Sequence, residues 1–359
     1  MAGLLLCEVV LRIAPPAALQ PGLRDVEPFI APDETFGWVG RPNLRSEARL
    51  DPDFRHAVST NSRGLRERET PYSRGSQRRV LCIGDSFTWG LGVEGAEAFP
   101  ALLENALPDT EVINAGVIGW GTAQEWLWLE KEGYRYSPDV LILGFFVNDF
   151  WDNAGRDQRG RRPIFVVKDG ELVLKTPPSP ELARKEDPGF MGGPVRKGMA
   201  SVLHALRVHS RVARAIHLGA EWLRAGFLER TDLSPLPRAT LREKTDAGVP
   251  AQDVTFALFK RTREFCLQHG IRLIVLLIPS HEDVRPELKD TARVHEDHEA
   301  YETALRFCRT LDIDAVEMRP RLLDMERSKR GGFHQSDIHL NVAGHRAAAD
   351  LLRARIGAR

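Results

Sequence analysis

Residues 80–86 read Val-Leu-Cys-Ile-Gly-Asp-Ser, four apolar residues that stop at a glycine, an acid and a serine. Three further runs, at 111–113, 139–146 and 271–278, have a similar near-continuous hydrophobicity. Strands that are buried on both faces have this composition, and such strands occur in parallel sheets. We therefore predict a parallel sheet whose first strand ends just before Ser86.

Helical patterns separate the predicted strands. Between the first two strands, apolar residues recur at the spacing of one helix face: Phe99, Leu102, Leu103, Ala106 and Leu107. Further helices are predicted at 122–132 and 254–269, where Gly133 and Gly270 are placed to take the left-handed conformation that ends a helix. Alternating strands and helices predict an α/β protein with a doubly wound parallel sheet.

This alternation covers residues 79–153 and 251–359, which we assign to the main domain. Residues 1–35 contain a short apolar segment and a proline-rich linker. Residues 36–78 are mixed in pattern, and we expect them to form an N-terminal flap packed on the main domain. Residues 154–250 are a central insertion in the α/β pattern.

The insertion begins with a predicted hairpin. Apolar runs at 164–167 and 172–174 flank Asp169-Gly170, a pair typical of two-residue hairpin turns. A helical stretch is expected at about 199–228. Because ligands bind beyond the carboxyl ends of parallel strands, the insertion is a candidate lid or substrate-selecting element.

Composition excludes some functions. The chain has 50 basic and 50 acidic residues, so no overall field recruits nucleic acid, and we expect none to bind. Its four cysteines, at 7, 82, 266 and 308, have no paired spacing typical of zinc sites or disulfide scaffolds. We expect neither a metal ion nor a cofactor.

The N-terminal segment leaves two interpretations open. Residues 3–14 are apolar, but Glu8 and Arg12 interrupt them, and a spanning helix needs about 20 apolar residues. The segment is either an amphipathic first helix or the tail of a longer membrane anchor. We expect an extracytoplasmic, cell-envelope location in preference to the cytoplasm, and under the second interpretation this segment would also attach the protein to the membrane.

Polar residues follow the predicted strands at the positions where chemistry is expected. Ser86 follows the first strand, Gly116 closes the second, Asn148 follows the third, and Asp337-Ile338-His339 precedes the last helix. Because the carboxyl ends of parallel strands meet at one edge of a sheet, we expect these residues to converge.

Together these residues could form a nucleophilic site. Ser86 could be activated by His339 as general base, while Asp337 holds the histidine tautomer. The Gly116 N–H and the Asn148 amide could stabilise a developing oxyanion. Each motif alone has a simpler explanation as a helix cap, a turn or a surface histidine. All four in this order favour a serine-dependent enzyme that cleaves or transfers an acyl ester.

The four blocks resemble those of bacterial SGNH (GDSL) hydrolases. The matching residues are Ser86, Gly116, Asn148 and His339. The lead-in segments 36–38 and 61–66 are also similar to bacterial members. The resemblance implies a flavodoxin-like fold, a Ser86 nucleophile and a His339 base. It also implies an oxyanion hole comprising the N–H groups of Ser86 and Gly116 and the Asn148 side chain.

One departure concerns the acid. Most of the family spaces its acid and histidine as Asp-x-x-His, and Ser336 occupies that acid position here. The chain has Asp337-x-His339 instead, a spacing similar to an acyltransferase-like branch that handles polysaccharide acetylation. We take Asp337 as the acid of the triad.

The predicted reaction is cleavage of short-chain or acetyl O-acyl esters through an acyl-serine intermediate. The expected partner is a small-molecule or carbohydrate ester, with carbohydrate-linked esters favoured. Two alternatives stay open: an O-acyltransferase acting on cell-envelope or exported polysaccharide, and a non-catalytic glycan-binding domain.

Three competing interpretations are weaker. Gly-x-Gly-x-x-Gly at 90–95 matches a dinucleotide fingerprint, but it begins several residues beyond the strand. An ordinary α/β-hydrolase has the motif Gly-x-Ser-x-Gly around its nucleophile, and this motif is absent because Thr88 occupies the position of the second glycine. A metal site would comprise His334, Asp337, His339 and His345, but it would lack a His-Glu-x-x-His motif and would take the base away from Ser86.

Overall fold

A computed structural model describes residues 29–51, 54–154, 162–176, 250–285, 291–334 and 337–357. They belong to one structural unit, Asp25–Pro180 with Ala239–Arg359. A second unit, Met1–Arg24 with Glu181–Arg238, lies outside the described residues, as does the helical stretch expected at 199–228. None of the described helices is long and apolar enough to cross a membrane.

The secondary-structure elements alternate as the sequence pattern predicts. The strands are β1 Ile30–Asp33, β2 Gly37–Gly40, β3 Arg45–Asp51, β4 Phe54–Ser59, β5 Arg78–Gly84, β6 Thr110–Gly116, β7 Val140–Phe146, β8 Ile164–Lys168, β9 Glu171–Thr176, β10 Arg272–Ile278 and β11 Asp314–Glu317. The α-helices are α1 Ser86–Trp89, α2 Phe99–Ala106, α3 Thr122–Lys131, α4 Asp149–Asn153, α5 Ala251–Gln268, α6 His281–Val284, α7 Thr291–Thr310, α8 Arg319–Arg327 and α9 Val342–Gly357. Short 3₁₀ helices cover Gly95–Glu97 and Gly133–Tyr136.

Five strands form a parallel sheet in the spatial order β11-β10-β7-β5-β6. Numbered along the chain, this is the order 2-1-3-4-5 of the flavodoxin-like, doubly wound fold. The predicted fold class is confirmed. Every residue of β7 is buried, which explains its unbroken apolar sequence.

The register of the sheet positions the site. Gly84 of β5 lies opposite Gly116 of β6 and Gly144 of β7. The carboxyl ends of these three strands are therefore almost level. Ser86, the loop after Gly116 and Asn148 all leave the sheet at the same edge.

Helix ends follow the predicted chemistry in two places. After α5, Gly270 has a φ of +67°, and the N–H of Ile271 donates to Cys266 O at 2.8 Å. Asn341 caps α9 by accepting the N–H of Gly344 at 3.0 Å. The prediction for Gly133 was wrong: it starts a 3₁₀ helix, and an added Cβ would lie 2.8 Å from the Trp128 ring.

Two strands were not predicted. β11 is four residues long, lies at the edge of the sheet and has no fully apolar run. β1 lies in residues 30–33, which we expected to be linker, and it includes Pro32. Each strand of a two-stranded ribbon forms backbone hydrogen bonds along one edge only, so the ribbon tolerates the missing N–H of Pro32.

The N-terminal flap packs on the main domain through buried polar contacts. The indole of Trp38 donates to Ile118 O at 3.0 Å, and that of Trp120 donates to Trp38 O at 2.9 Å. The Arg66 guanidinium donates to Val93 O at 2.8 Å. The flap is thereby attached to the loops beyond β5 and β6.

The expected hairpin at the start of the insertion is present. Strands β8 and β9 pair antiparallel, and Asp169 and Gly170 turn between them with φ values of +52° and +82°. Two positive φ values are characteristic of the type I′ turn that Asp-Gly favours.

Candidate active site

The Ser86 hydroxyl and the His339 imidazole meet although they are far apart in sequence. Ser86 Oγ lies 2.8 Å from His339 Nε2. Ser86 is the first residue of α1, immediately beyond β5, and it keeps 9% of its surface exposed. The serine is therefore in hydrogen-bond contact with the base and still partly accessible from outside.

Local packing fixes the sharp turn that presents Ser86. Thr88 sits over two strand ends, because a Cβ on Gly84 or Gly144 would lie 2.1 or 2.3 Å from its Oγ1. Asp85 caps α1 by accepting the N–H of Phe87 at 2.8 Å. These contacts explain why threonine stands two residues after the serine.

Asp337 contacts His339 twice. Its Oδ1 lies 2.5 Å from His339 Nδ1 and accepts the backbone N–H of His339 at 2.9 Å. With Nδ1 carrying a proton toward the carboxylate, Nε2 is left to accept the Ser86 hydroxyl proton. Ser336, at the alternative acid position, lies outside the described residues.

Asn148 stands at the end of β7, and its amide is partly engaged. Nδ2 donates to Asp152 Oδ2 at 3.0 Å, one helical turn further along α4. An amide nitrogen has two hydrogens, so one of them stays available to a ligand. Asn148 can thus serve as a fixed donor at the same edge as Ser86.

Gly116 differs from our expectation. Its N–H donates to Asn114 Oδ1 at 3.1 Å and is therefore occupied. The glycine is needed for packing, since an added Cβ would lie 2.3 Å from Trp89 N. Gly119 in the following loop has a φ of +74°, and its N–H has no acceptor within the described residues. Gly119 is a better candidate donor, and the sequence hints at it only as a second glycine in this loop.

A group of buried acids lies beside the site, and the sequence pattern did not reveal it. Burial raises the pKa of Asp85 to about 7. Burial, reinforced by repulsion from the neighbouring carboxyls, raises the pKa of Glu125 and Asp149 well above their usual values. Asp149 also accepts a hydrogen bond from Thr122 Oγ1 at 2.8 Å. Glu125 and Asp149 thus belong to one buried acidic group with Asp85, the residue that precedes Ser86.

The histidines considered as metal ligands have other roles. His345 Nδ1 accepts the N–H of Phe99 at 3.2 Å, and burial lowers the His345 pKa to about 3. His345 is therefore a neutral core residue. The described part of the chain has no cluster of three or more metal-ligating side chains.

Comparison with known proteins agrees with the sequence resemblance. A family model described as GDSL-like Lipase/Acylhydrolase family matches residues 82–347. No curated protein matches the chain.

Solved structures also match the chain, at low sequence identity. An acetyl xylan esterase, AlAXEase, is 13% identical, with 77% of this chain and 99% of that chain covered and a TM-score of 0.45. A variant of an acetyl-xylooligosaccharide esterase from Geobacillus Stearmophilus is 13% identical, with 80% and 97% covered and a TM-score of 0.43. A GDSL-like lipase from Bacteroides thetaiotaomicron is 11% identical, with 80% and 91% covered and a TM-score of 0.42.

The family model spans most of the chain, from within β5 to within α9, and includes both Ser86 and His339. The chain therefore belongs to the GDSL-like lipase/acylhydrolase family and is an enzyme that hydrolyses esters.

Proposed function

We propose that this enzyme is a serine esterase that removes short acyl groups, acetyl among them, from carbohydrate-linked esters. The observation that carries the proposal is the hydrogen-bonded series Ser86–His339–Asp337. A nucleophile, a base and an orienting acid in this order are the parts that acyl transfer to serine requires.

The reaction would proceed in two halves. His339 Nε2 takes the hydroxyl proton as Ser86 Oγ attacks the ester carbonyl, and the tetrahedral intermediate then expels the alcohol, which receives that proton. The product is an acyl-Ser86 ester. In the second half His339 deprotonates a water, which attacks the acyl group and releases the acid and free Ser86.

The oxyanion of each tetrahedral intermediate needs fixed donors. We assign this role to the N–H of Ser86, the Nδ2 of Asn148 and the N–H of Gly119. Gly116 is left out because its N–H already donates to Asn114. One such donor is worth about a hundredfold to a thousandfold in kcat in a serine protease.

An acyltransferase acting on polysaccharide is the second candidate. It would share the acyl-Ser86 intermediate and differ only in the acceptor, a sugar hydroxyl instead of water. The Asp337-x-His339 spacing, which resembles the branch that handles polysaccharide acetylation, favours this candidate and a carbohydrate substrate. The close Ser86–His339 contact favours either reaction over glycan binding without catalysis.

The test uses the whole chain. The purified enzyme should hydrolyse p-nitrophenyl acetate and release acetate from acetylated oligosaccharides, and Ser86→Ala should abolish both activities. Ser280→Ala is the matched control, because Ser280 also follows a parallel strand, where it caps α6 by accepting the N–H of Asp283 at 3.1 Å. Full turnover in Ser86→Ala would refute the proposal. Adding an unacetylated oligosaccharide then separates transfer, seen as an acetylated acceptor, from hydrolysis.

A further inference from the structure

We infer that Arg162, in the insertion two residues before β8, is a positioning residue that orients the Asn148 amide through Asp152. The inference rests on the proposed function, because it concerns one of the donors assigned to the oxyanion.

The contact chain is continuous. Arg162 Nη2 lies 3.0 Å from Asp152 Oδ1, and the other oxygen of that carboxylate accepts Asn148 Nδ2 at 3.0 Å. The Arg162 and Asp152 side chains are only 11% and 20% exposed. Water therefore screens this ion pair much less than it screens a pair on the surface.

The charge of Arg162 decides which way the Asn148 amide faces. A carboxylate accepts hydrogen bonds and donates none, so an ionised Asp152 selects the amide nitrogen and repels the amide oxygen. The second Nδ2 hydrogen can then serve the oxyanion. Removing the Arg162 cation would take away the partner that holds the Asp152 carboxylate in position to accept this N–H.

The surroundings of Asp152 make this cation important. Three other acids raise the electrostatic cost of a further negative charge: Asp85, Glu125 and Asp149. Repulsion from Asp152 helps to raise the pKa of each of them, and the positive charge of Arg162 opposes this rise at Glu125. Arg162 is thus the cation that balances this acidic neighbourhood at Asp152.

Arg162 is itself held from two sides. Its Nη1 donates to Gln124 Oε1 of α3 at 2.9 Å, and its guanidinium lies 5.0 Å from the Trp38 ring centre in the flap. Gln124 in turn donates through Nε2 to Phe36 O at 2.8 Å. The insertion, the flap and the oxyanion donor are therefore linked through one side chain.

Gly121 leaves room for this arrangement. An added Cβ there would lie 2.7 Å from Asp152 Cβ and 3.5 Å from Arg162 Nη1. Its φ of −123° is accessible to any residue. Gly121→Ala therefore disturbs the contact chain by size alone, without any change of charge.

The test is a double-mutant cycle on the full chain with p-nitrophenyl acetate. We expect Arg162→Ala to lower kcat about tenfold or more, with little change in KM; the upper bound is the roughly hundredfold to thousandfold loss expected when a whole oxyanion donor is removed. In an Asn148→Ala background the same substitution should change kcat less than twofold, because the group that it orients is gone. Equal losses in both backgrounds would overturn the inference and leave Arg162 a structural residue.

Two further variants guard against misfolding and against a general effect of removing an ion pair. Asp152→Asn keeps the side-chain shape, and its kcat loss should likewise vanish in the Asn148→Ala background; a loss that persists there would overturn the inference. Arg272→Ala is the matched control. Arg272 pairs with Asp314 at 2.8 Å at the N-terminal end of β10, away from the carboxyl edge of the sheet, so this variant should have an unchanged kcat. If Ser86→Ala stays active, the proposed function fails; if Ser86→Ala is inactive but the cycle is additive, only this inference fails.

Discussion

Asp337 accepts both the side-chain and the backbone N–H of His339 through a single oxygen, Oδ1. The backbone contact forms a tight turn that brings an acid only two residues away into line with the ring nitrogen. This geometry explains how Asp-x-His, with one intervening residue instead of two, can still orient the imidazole toward Ser86.

Asp337→Asn tests this geometry. The amide cannot take the same role as the carboxylate, so the tautomer needed by Ser86 is disfavoured, and kcat should fall by about a thousandfold or more, as in a serine protease with the same change. Steady-state kinetics with p-nitrophenyl acetate measures it. Ser336→Ala is the control and should keep near-normal kcat; a loss confined to Ser336→Ala would move the triad acid away from Asp337.

Gly116→Ala tests whether Gly116 is required for packing. The new methyl group would lie 2.3 Å from Trp89 N, so the backbone of α1 must shift. The free energy of unfolding should fall by about 1–3 kcal/mol, as for other overpacked sites. Gly75→Ala, where no atom lies within 4 Å of the added Cβ, is the control for urea denaturation. Unchanged stability in Gly116→Ala would contradict the packing role.

Glu125→Gln tests the buried acids. Burial raises the folded-state pKa of Glu125 above its usual 4.5, so its contribution to stability is complete below pH 4.5 and declines as the pH rises. The variant cannot ionise and escapes that decline. We expect it to gain about 1 kcal/mol or more relative to the wild type between pH 5 and pH 8. Urea unfolding at pH 5 and at pH 8 measures the stability difference between the variant and the wild type. The same difference at both pH values would contradict a raised pKa of Glu125.

His345→Gln tests the acid side of the stability profile. Burial lowers the folded-state pKa of His345 from 6.5 to about 3, so the contribution is present above pH 6.5 and is lost as the pH falls below it. Glutamine does not titrate, so any loss of the Phe99 hydrogen bond is the same at every pH. Between pH 6 and pH 4 the wild type should lose about 1.4 kcal/mol per pH unit relative to the variant. If the stability difference between the wild type and the variant were the same at every pH, His345 could not be a neutral buried residue.

Much of the site could be predicted from the sequence because topology determines it. Apolar runs mark the buried strands, and in a parallel sheet their carboxyl ends must share one edge, so Ser86 and Asn148 could be placed together without coordinates. His339 lies between α8 and α9 instead of directly after a sheet strand, so its closeness to Ser86 could be expected only from the resemblance of its motif to the family's. Four of the five sheet strands have apolar runs, whereas β11 is too short and too polar to stand out.

The remaining details depend on side-chain contacts that periodicity does not encode. The Gly116 N–H is occupied because Asn114, two residues earlier in the same strand, turns its side chain back. Arg162 and Asp152 come from different elements, and nothing in their spacing predicts an ion pair. The acids Glu125 and Asp149 looked like ordinary helix residues, since burial of a carboxyl group depends on the tertiary structure.

Ser86 can be tested as the nucleophile by identifying the residue that reacts with an active-site inhibitor. A fluorophosphonate should phosphonylate Ser86, as mapped by peptide mass spectrometry, and labelling should be strongly slowed in His339→Ala. We expect a single adduct at Ser86, and we expect p-nitrophenyl acetate turnover to be lost in step with its formation. An adduct on a different residue, with turnover lost in parallel, would contradict it.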